Sequence, residues 1–211
     1  MTKDEKYIYE SIVHEVRMGF YSEEEVREII IEQVENEDFE DEIPSSWVNT
    51  QINAAFKKLE TESKTWVHPT DTERLAKAFN ELCVMKIIAL HFAGFTTDDG
   101  EGEVVEIELE LNKQGIESDG YCFYHEQDLV RAIDTKSLLI AYQKVDNSDP
   151  EVTIKVGSLV VQKLKDNGFD VIWDGTGNEK IEIPNFNWQK IYTGLDDHLF
   201  MNGRALDMMT K

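Results

Sequence analysis

The sequence contains little cysteine and has no long apolar run. Its 211 residues include two cysteines, Cys83 and Cys122, which lie far apart and outside any CxxC or Cys/His ligand spacing. These positions support neither a disulfide framework nor a zinc site, so we expect reduced, buried thiols and no metal. No run of 18 apolar residues occurs, and residues 1–16 lack the basic and apolar stretches of a signal peptide. We therefore expect a cytoplasmic protein without a membrane segment.

Basic residues are also scarce. Lys and Arg total 21 against 43 Asp and Glu, which gives a formal charge of −22 at pH 7. Because phosphate groups are bound mainly by Lys and Arg, this balance argues against direct binding of nucleic acid or of an anionic membrane. Carboxylates are densest at 32–42 and 98–110. Such runs are typical of solvated faces, and they would also suit a basic protein partner or mimicry of nucleic acid.

The remaining composition is that of an ordinary folded protein, with 41% apolar and 30% charged residues. A chain of this length can bury a core as one large or two small domains. The order of elements predicts an α+β protein. In it, a helical N-terminal region, residues 1–66, precedes an α+β domain, residues 67–211, with a small mixed sheet and helices packed on it. The two regions could also form one compact unit.

Helix signals dominate the first part of the chain. Apolar residues recur at helical spacing over residues 8–20. Ser22 with Glu25, and Thr70 with Glu73, have the spacing of a capping box at the start of a helix. A further helix is expected to be capped by Ser45 or Ser46 and to end near Ser63.

The second part of the chain predicts alternating strands and helices. Apolar residues in 103–111 alternate as in a strand, but the glutamates between them and the polar residues that follow favour a helix. Residues 96–102 are expected to form a connecting loop or lid. Asp149 and Pro150 have the pattern of a helix start, and Asn167 that of its end. Strands are predicted at 86–92, 121–125, 138–142, 169–173 and 180–183, with a short helix at 127–133 and a hairpin turn joining the last two strands.

A polar and aromatic cluster, YCFYHEQD at 121–128, lies where a strand ends and a helix begins. Open sheets bind ligands outside strand carboxyl ends, and exposed helix amides there favour anions. The alternative is that these side chains cap the helix and satisfy buried hydrogen bonds. If the cluster forms a ligand pocket, we expect the side chains of His125 and Asp128 to lie close to that of Asp174 from the hairpin. The candidate pocket residues are Tyr124, His125, Gln127, Asp128 and Asp174.

Catalysis in this pocket would use His125 as a general base, with Cys122 or Asp128 as its partner. Strand alternation places Cys122 and His125 on opposite faces, which argues against a Cys/His dyad. The glycine-rich DGTGN at 174–178 lacks the Lys of a phosphate-binding P-loop and precedes a strand, so it indicates a hairpin turn. The sequence therefore presents no complete catalytic set.

Three sequence blocks together resemble a known family. They are GYCFYHEQDLVRAI, LLIAYQ and VGSLVVQKLKDNGFDVIWDGT, in this order. Over about residues 70–192 the chain resembles an uncharacterised bacterial family, domain of unknown function 6891. The resemblance implies no activity.

Charge and the missing catalytic set lead to our main hypothesis. We expect a non-enzymatic, acidic, cytoplasmic binding protein of the stress, defence or immunity type, with a basic protein as its partner and no cofactor. The alternative is a small hydrolase or ligand-binding domain with its pocket at the end of strand 121–125. The sequence leaves the oligomeric state open.

Overall fold

The computed structural model describes residues 1–194 and 200–211. The chain divides into two compact units, Met1–His68 with Trp188–Leu195, and Pro69–Asn187 with Asp196–Lys211. The first unit is helical and the second carries a mixed sheet, so the expected α+β class with a helical N-terminal region is confirmed.

Three helices build the first unit: α1 (Lys3–Met18), α2 (Glu23–Asn36) and α3 (Ser45–Ser63). The expected capping box of Ser22 and Glu25 is present at the start of α2. The expected Ser cap of α3 is wrong, because Ser45 is already helical and Pro44 is the N-cap, without a side-chain hydrogen bond. The apolar faces of the helices share one core, formed by Ile8, Ile12, Val16, Val26, Ile30, Val34, Ile43, Val48, Ile52 and Leu59.

A return segment of the chain completes the first unit at the end of α1. The Trp188 ring lies 6.0 Å from that of Phe20, and its Nε1 donates to the Met18 carbonyl at 3.1 Å. Lys190 donates to the Gly19 carbonyl, and its Nζ lies 4.7 Å from the centre of the Phe20 ring. Carbonyl groups at a helix C-terminus carry partial negative charge, so a buried lysine is stabilised there.

The second unit is built on a mixed sheet. In the described residues its strand order is β1-β2-β3-β4, with β1 and β2 parallel and the other neighbours antiparallel. Strand β1 therefore lies at an edge of the sheet. The elements are α4 (Asp71–Val84), β1 (Ile87–Leu90), α5 (Thr97–Lys113), β2 (Gly120–Phe123), α6 (Glu126–Thr135), β3 (Ser137–Gln143), α7 (Pro150–Asp166), β4 (Ile181–Pro184) and α8 (Gly203–Met209).

Helix α5 begins earlier than its sequence suggests. The expected helix over 103–111 is present, but the loop expected at 96–102 is wrong, because Thr96 and Asp99 form a capping box and the helix starts at once. Gly100 allows this helix to lie close to β2. A Cβ at Gly100 would meet the Phe123 ring at 2.4 Å.

The C-terminal side of the sheet is smaller than predicted. Residues 180–183 correspond to β4, whereas 169–173 contributes one isolated antiparallel bridge, Ile172 to Glu182. Helix α7 begins with Asp149 as its cap and Pro150 in its first turn, as the pattern predicts. Among the described helices, none combines the length and the apolar character needed to cross a membrane.

Candidate functional site

The two parallel strands end at the same edge of the sheet, and each is followed by a helix N-terminus. Thr96 is the N-cap of α5, and His125 is the N-cap of α6. His125 Nδ1 accepts a hydrogen bond from the Asp128 amide at 3.3 Å, and Asp128 Oδ2 accepts one from the His125 amide at 3.4 Å. This is a capping box in which an imidazole replaces the usual hydroxyl. His125 and Asp128 therefore fix the start of α6.

Three further groups approach the second ring nitrogen of His125. Lys180 Nζ lies 2.8 Å from Nε2, Asp128 Oδ2 lies 3.1 Å away and Thr97 Oγ1 lies 3.2 Å away. Lys180 also donates to both carboxylate oxygens of Asp128, at 2.8 and 3.1 Å. His125 and Asp128 are each only 4% exposed. We call Thr97, His125, Asp128 and Lys180 the His125 cluster.

Burial lowers the pKa of His125, and the charge of Lys180 lowers it further, against the opposing effects of Asp128 and Asp99. The imidazole is therefore neutral at pH 7. A neutral imidazole has one nitrogen that can accept a hydrogen bond, and in His125 this is Nδ1, which accepts from the Asp128 amide in the capping box. Nε2 therefore carries the proton and faces Asp128 Oδ2 at 3.1 Å.

This geometry differs from that of an activated hydroxyl nucleophile. In a catalytic triad, one nitrogen of the histidine faces the nucleophile and the other faces the carboxylate. Here the Asp128 carboxylate, the Thr97 hydroxyl and the Lys180 ammonium all contact Nε2. The cluster instead ties the starts of α5 and α6 to the chain just before β4.

The predicted pocket residue Asp174 makes its hydrogen bonds elsewhere. Its two carboxylate oxygens accept from the Thr176 amide at 2.9 Å and the Thr176 hydroxyl at 2.7 Å, and these bonds lower the pKa of Asp174. From the segment that leads into β4, it is Lys180, and not Asp174, whose side chain contacts His125 and Asp128. Sequence reasoning missed Lys180, because a lysine before a strand usually stays in solvent and only the tertiary fold brings it here.

The remaining candidate pocket residues lie in different environments. Tyr124 is fully buried, with ring centres 6.2 Å from Phe79 and 5.7 Å from His91. Burial raises the pKa of the Tyr124 hydroxyl well above its ordinary value. Gln127 is exposed in the first turn of α6. The structure therefore brings two of the five predicted residues, His125 and Asp128, into direct contact.

Cys83 and Cys122 are free thiols in the protein interior. Burial raises the pKa of both thiols, so neither is a ready thiolate. No group of three His, Cys, Asp or Glu side chains suited to a metal ion occurs in residues 1–194 and 200–211.

Fold and site together define the class of the protein. It is an α+β protein with a helical unit and a second unit built on a small mixed sheet. A cluster of helix caps and an ion pair lies at the ends of the two parallel strands. The family model described as a domain of unknown function (DUF6891) matches residues 1–192, and the chain belongs to this family. The match confirms the resemblance seen over about residues 70–192 and extends it to the N-terminal helices. No curated protein matches the chain, and no solved structure matches it.

Proposed function

We propose that the protein binds a basic protein partner through residues 23–42, here called the acidic segment. It contains eleven carboxylates and one cation, Arg27. All eleven carboxylate side chains are exposed. This dense, exposed negative charge is the observation that carries the proposal.

The fold explains why these charges face solvent. Helix α2 buries Val26, Ile30 and Val34, one residue per turn, so the remaining positions of the helix point away from the core. In the described part of the chain, Glu23 is the one carboxylate of the acidic segment with a salt bridge, to Arg27 at 3.0 Å. The other ten carboxylates make no salt bridge within residues 1–194 and 200–211.

Unpaired like charges repel one another and give the segment a negative field. Such a field accelerates encounter with a positively charged protein and disfavours negatively charged ones. A partner with several Lys or Arg side chains would relieve the repulsion on binding. The closed His125 cluster, in which the capping box of α6 occupies the accepting nitrogen of His125, supports a binding role rather than catalysis. A cytoplasmic setting in stress, defence or immunity, where acidic proteins neutralise basic ones, would suit this role.

The test compares two variants of equal charge. One replaces Glu28, Glu32, Glu35 and Glu40 by Gln, and the matched control replaces Glu10, Glu117, Glu151 and Glu179, which are exposed and lie outside the acidic segment. Binding of oligolysine and oligoarginine peptides is measured by calorimetry at low and at physiological ionic strength. We expect the first variant to lose affinity by about tenfold and the control by much less. Equal losses would show that net charge alone matters and would refute a dedicated segment.

The His125 cluster supports a second candidate function, a ligand-binding or small hydrolase domain. Its specific feature is the partly exposed ammonium of Lys180 beside the N-termini of α5 and α6, where an anionic ligand would be stabilised. Thermal shifts with phosphate and common carboxylate metabolites test it. A shift that His125→Asn abolishes would support this candidate, and no shift with any anion would count against it.

A further inference from the structure

Helix α8 lies beyond the part of the chain that the family model covers, which ends at residue 192. Within the second unit it packs on α4, α5 and the edge strand β1. Ala205 is its buried contact residue. The family domain thus carries an appended segment on one side of its sheet.

Arg204 makes the most specific contact of this segment. Its Nη2 donates to the Ala89 carbonyl at 2.6 Å, and its Nη1 donates to the Asn80 side chain. The Lys86 carbonyl accepts from the Asp119 amide on the β2 side, so by strand alternation the Ala89 carbonyl points to the free edge of β1. Arg204 therefore satisfies an acceptor that no neighbouring strand reaches.

The docking of α8 is incomplete. The helix has seven residues, and its N-cap Asn202 makes no side-chain cap bond. Two buried atoms, Asn202 Oδ1 and Arg204 Nε, have no hydrogen-bond partner among the described residues. Helices this short are not stable alone, and unsatisfied buried polar atoms oppose docking. Undocking of α8 is therefore a low-cost motion compared with opening the core.

Helix α5, one of the elements on which α8 packs, is rich in negative charge. Helix α5 carries seven carboxylates and a single cation, Lys113. One of them, Glu103, accepts a hydrogen bond from Asn202, and burial raises its pKa. The carboxylates of α5 are Asp98, Asp99, Glu101, Glu103, Glu106, Glu108 and Glu110.

We propose that the surface formed by α4, α5 and the free edge of β1, here called the β1-edge site, is a docking site for an arginine-bearing helical segment of a basic protein partner. Helix α8 covers this site and is displaced when the partner binds. The Ala89 carbonyl and the Asn80 side chain recognise the arginine, and Glu103 with its neighbours Asp99 and Glu106 favours further cations around it. The inference is independent of the acidic segment, which belongs to the first unit.

The test uses two variants of the full chain in which α8 should undock, Arg204→Ala and Ala205→Asp. The control is Arg131→Ala, which removes an exposed arginine on α6. The probe is a synthetic peptide of residues 200–211, with its own Arg204→Ala and Asp207→Lys forms. Binding is measured by fluorescence anisotropy. Cys83, on α4, is fully buried, and its Sγ lies 3.9 Å from the Ala89 carbonyl that Arg204 contacts, so its modification, followed by mass spectrometry, reports undocking.

We expect Cys83 to react about tenfold faster in both undocked variants than in the control. The undocked variants should bind the peptide at least tenfold more tightly than the control does, the peptide lacking arginine should not bind, and the Asp207→Lys peptide should bind more tightly. Peptide binding should slow the modification of Cys83. Circular dichroism verifies that the other helices persist.

Several results would overturn the proposal. Equal Cys83 reactivity in all variants would show that α8 does not cover this surface. Equal binding of peptides with and without arginine would remove the recognition step. Exchange of α8 between two copies of the chain, detected as a dimer by sedimentation, would show that a second copy is the occupant of the site. Global unfolding of both undocked variants would make α8 a fixed part of the core.

Discussion

The protonation of His125 makes stability depend on pH. Its pKa in the folded protein lies below the ordinary value of 6.5, mainly because of burial. As pH falls below about 6.5, the unfolded chain takes up this proton first, so the contribution of neutral His125 is complete above that pH and is lost as pH falls through the folded pKa. The groups that face the ring are Asp128 and Thr97, with Lys180 and, more distantly, Asp99.

We expect the free energy of unfolding of the wild type to fall more steeply between pH 7 and pH 5 than that of His125→Asn, in which the asparagine can still cap α6. Urea unfolding at a series of pH values measures the difference, and an NMR titration of the imidazole checks the pKa directly. Parallel pH profiles of the two proteins would contradict the assignment.

Removing the cation from the buried ion pair should cost more than removing one at the surface. Lys180→Met leaves the Asp128 carboxylate buried without its cation, and we expect a loss of about 1–3 kcal/mol in unfolding free energy. Lys144→Met is the matched control, since Lys144 is similarly exposed but pairs with Glu117, whose side chain is 75% exposed. We expect its effect to stay within about 0.5 kcal/mol. Similar losses for the two variants would refute the structural role of Lys180.

At the level of single residues, local chemistry was predictable and distant contacts were not. Ser22 with Glu25 and Thr70 with Glu73 form the capping boxes that their three-residue spacing predicts. Spacing could not predict Lys180, because it meets Asp128 across 52 residues of chain.

Among the elements, α5 shows what limits prediction from sequence. Its first turn contains glycine and aspartate, which by composition indicate a loop, yet Gly100 is helical because only a glycine fits against the Phe123 ring. The opposite case is α7, where Asp149 and Pro150 are local start signals and the helix begins as predicted. Helix α8 has no such cap and was not predicted.

Two alanine substitutions in α5 should have opposite effects. Gly100→Ala places a Cβ 2.4 Å from the Phe123 ring, so we expect a loss of about 1–3 kcal/mol despite the better helix propensity of alanine. Gly102→Ala, two residues along the same helix, has no heavy atom within 4 Å of its new Cβ, and should gain up to about 1 kcal/mol. Chemical unfolding of the two variants and of the wild type measures both changes in unfolding free energy. A gain at both positions would show that α5 can move away from β2 without cost.

Across the whole molecule, the net charge of −22 should make stability depend on salt. Raising NaCl from 0.01 to 1 M shortens the screening length from about 30 Å to about 3 Å, which weakens repulsion between carboxylates. We expect the Tm to rise over this range, and to rise less in the variant with four glutamines in the acidic segment. A salt response that is the same in both proteins would place the repulsion elsewhere on the surface.

The contact between Trp188 and the end of α1 also orders events during synthesis. Trp188 and the Met18 carbonyl that it binds are 170 residues apart. At a translation rate of about 5 to 20 residues per second, roughly 10 to 30 s pass between their emergence from the ribosome. For that interval the N-terminal helices lack their last contact, while the complete sheet of the second unit is being made. The helices at the start of the chain therefore gain this contact only after the sheet that follows them has been made.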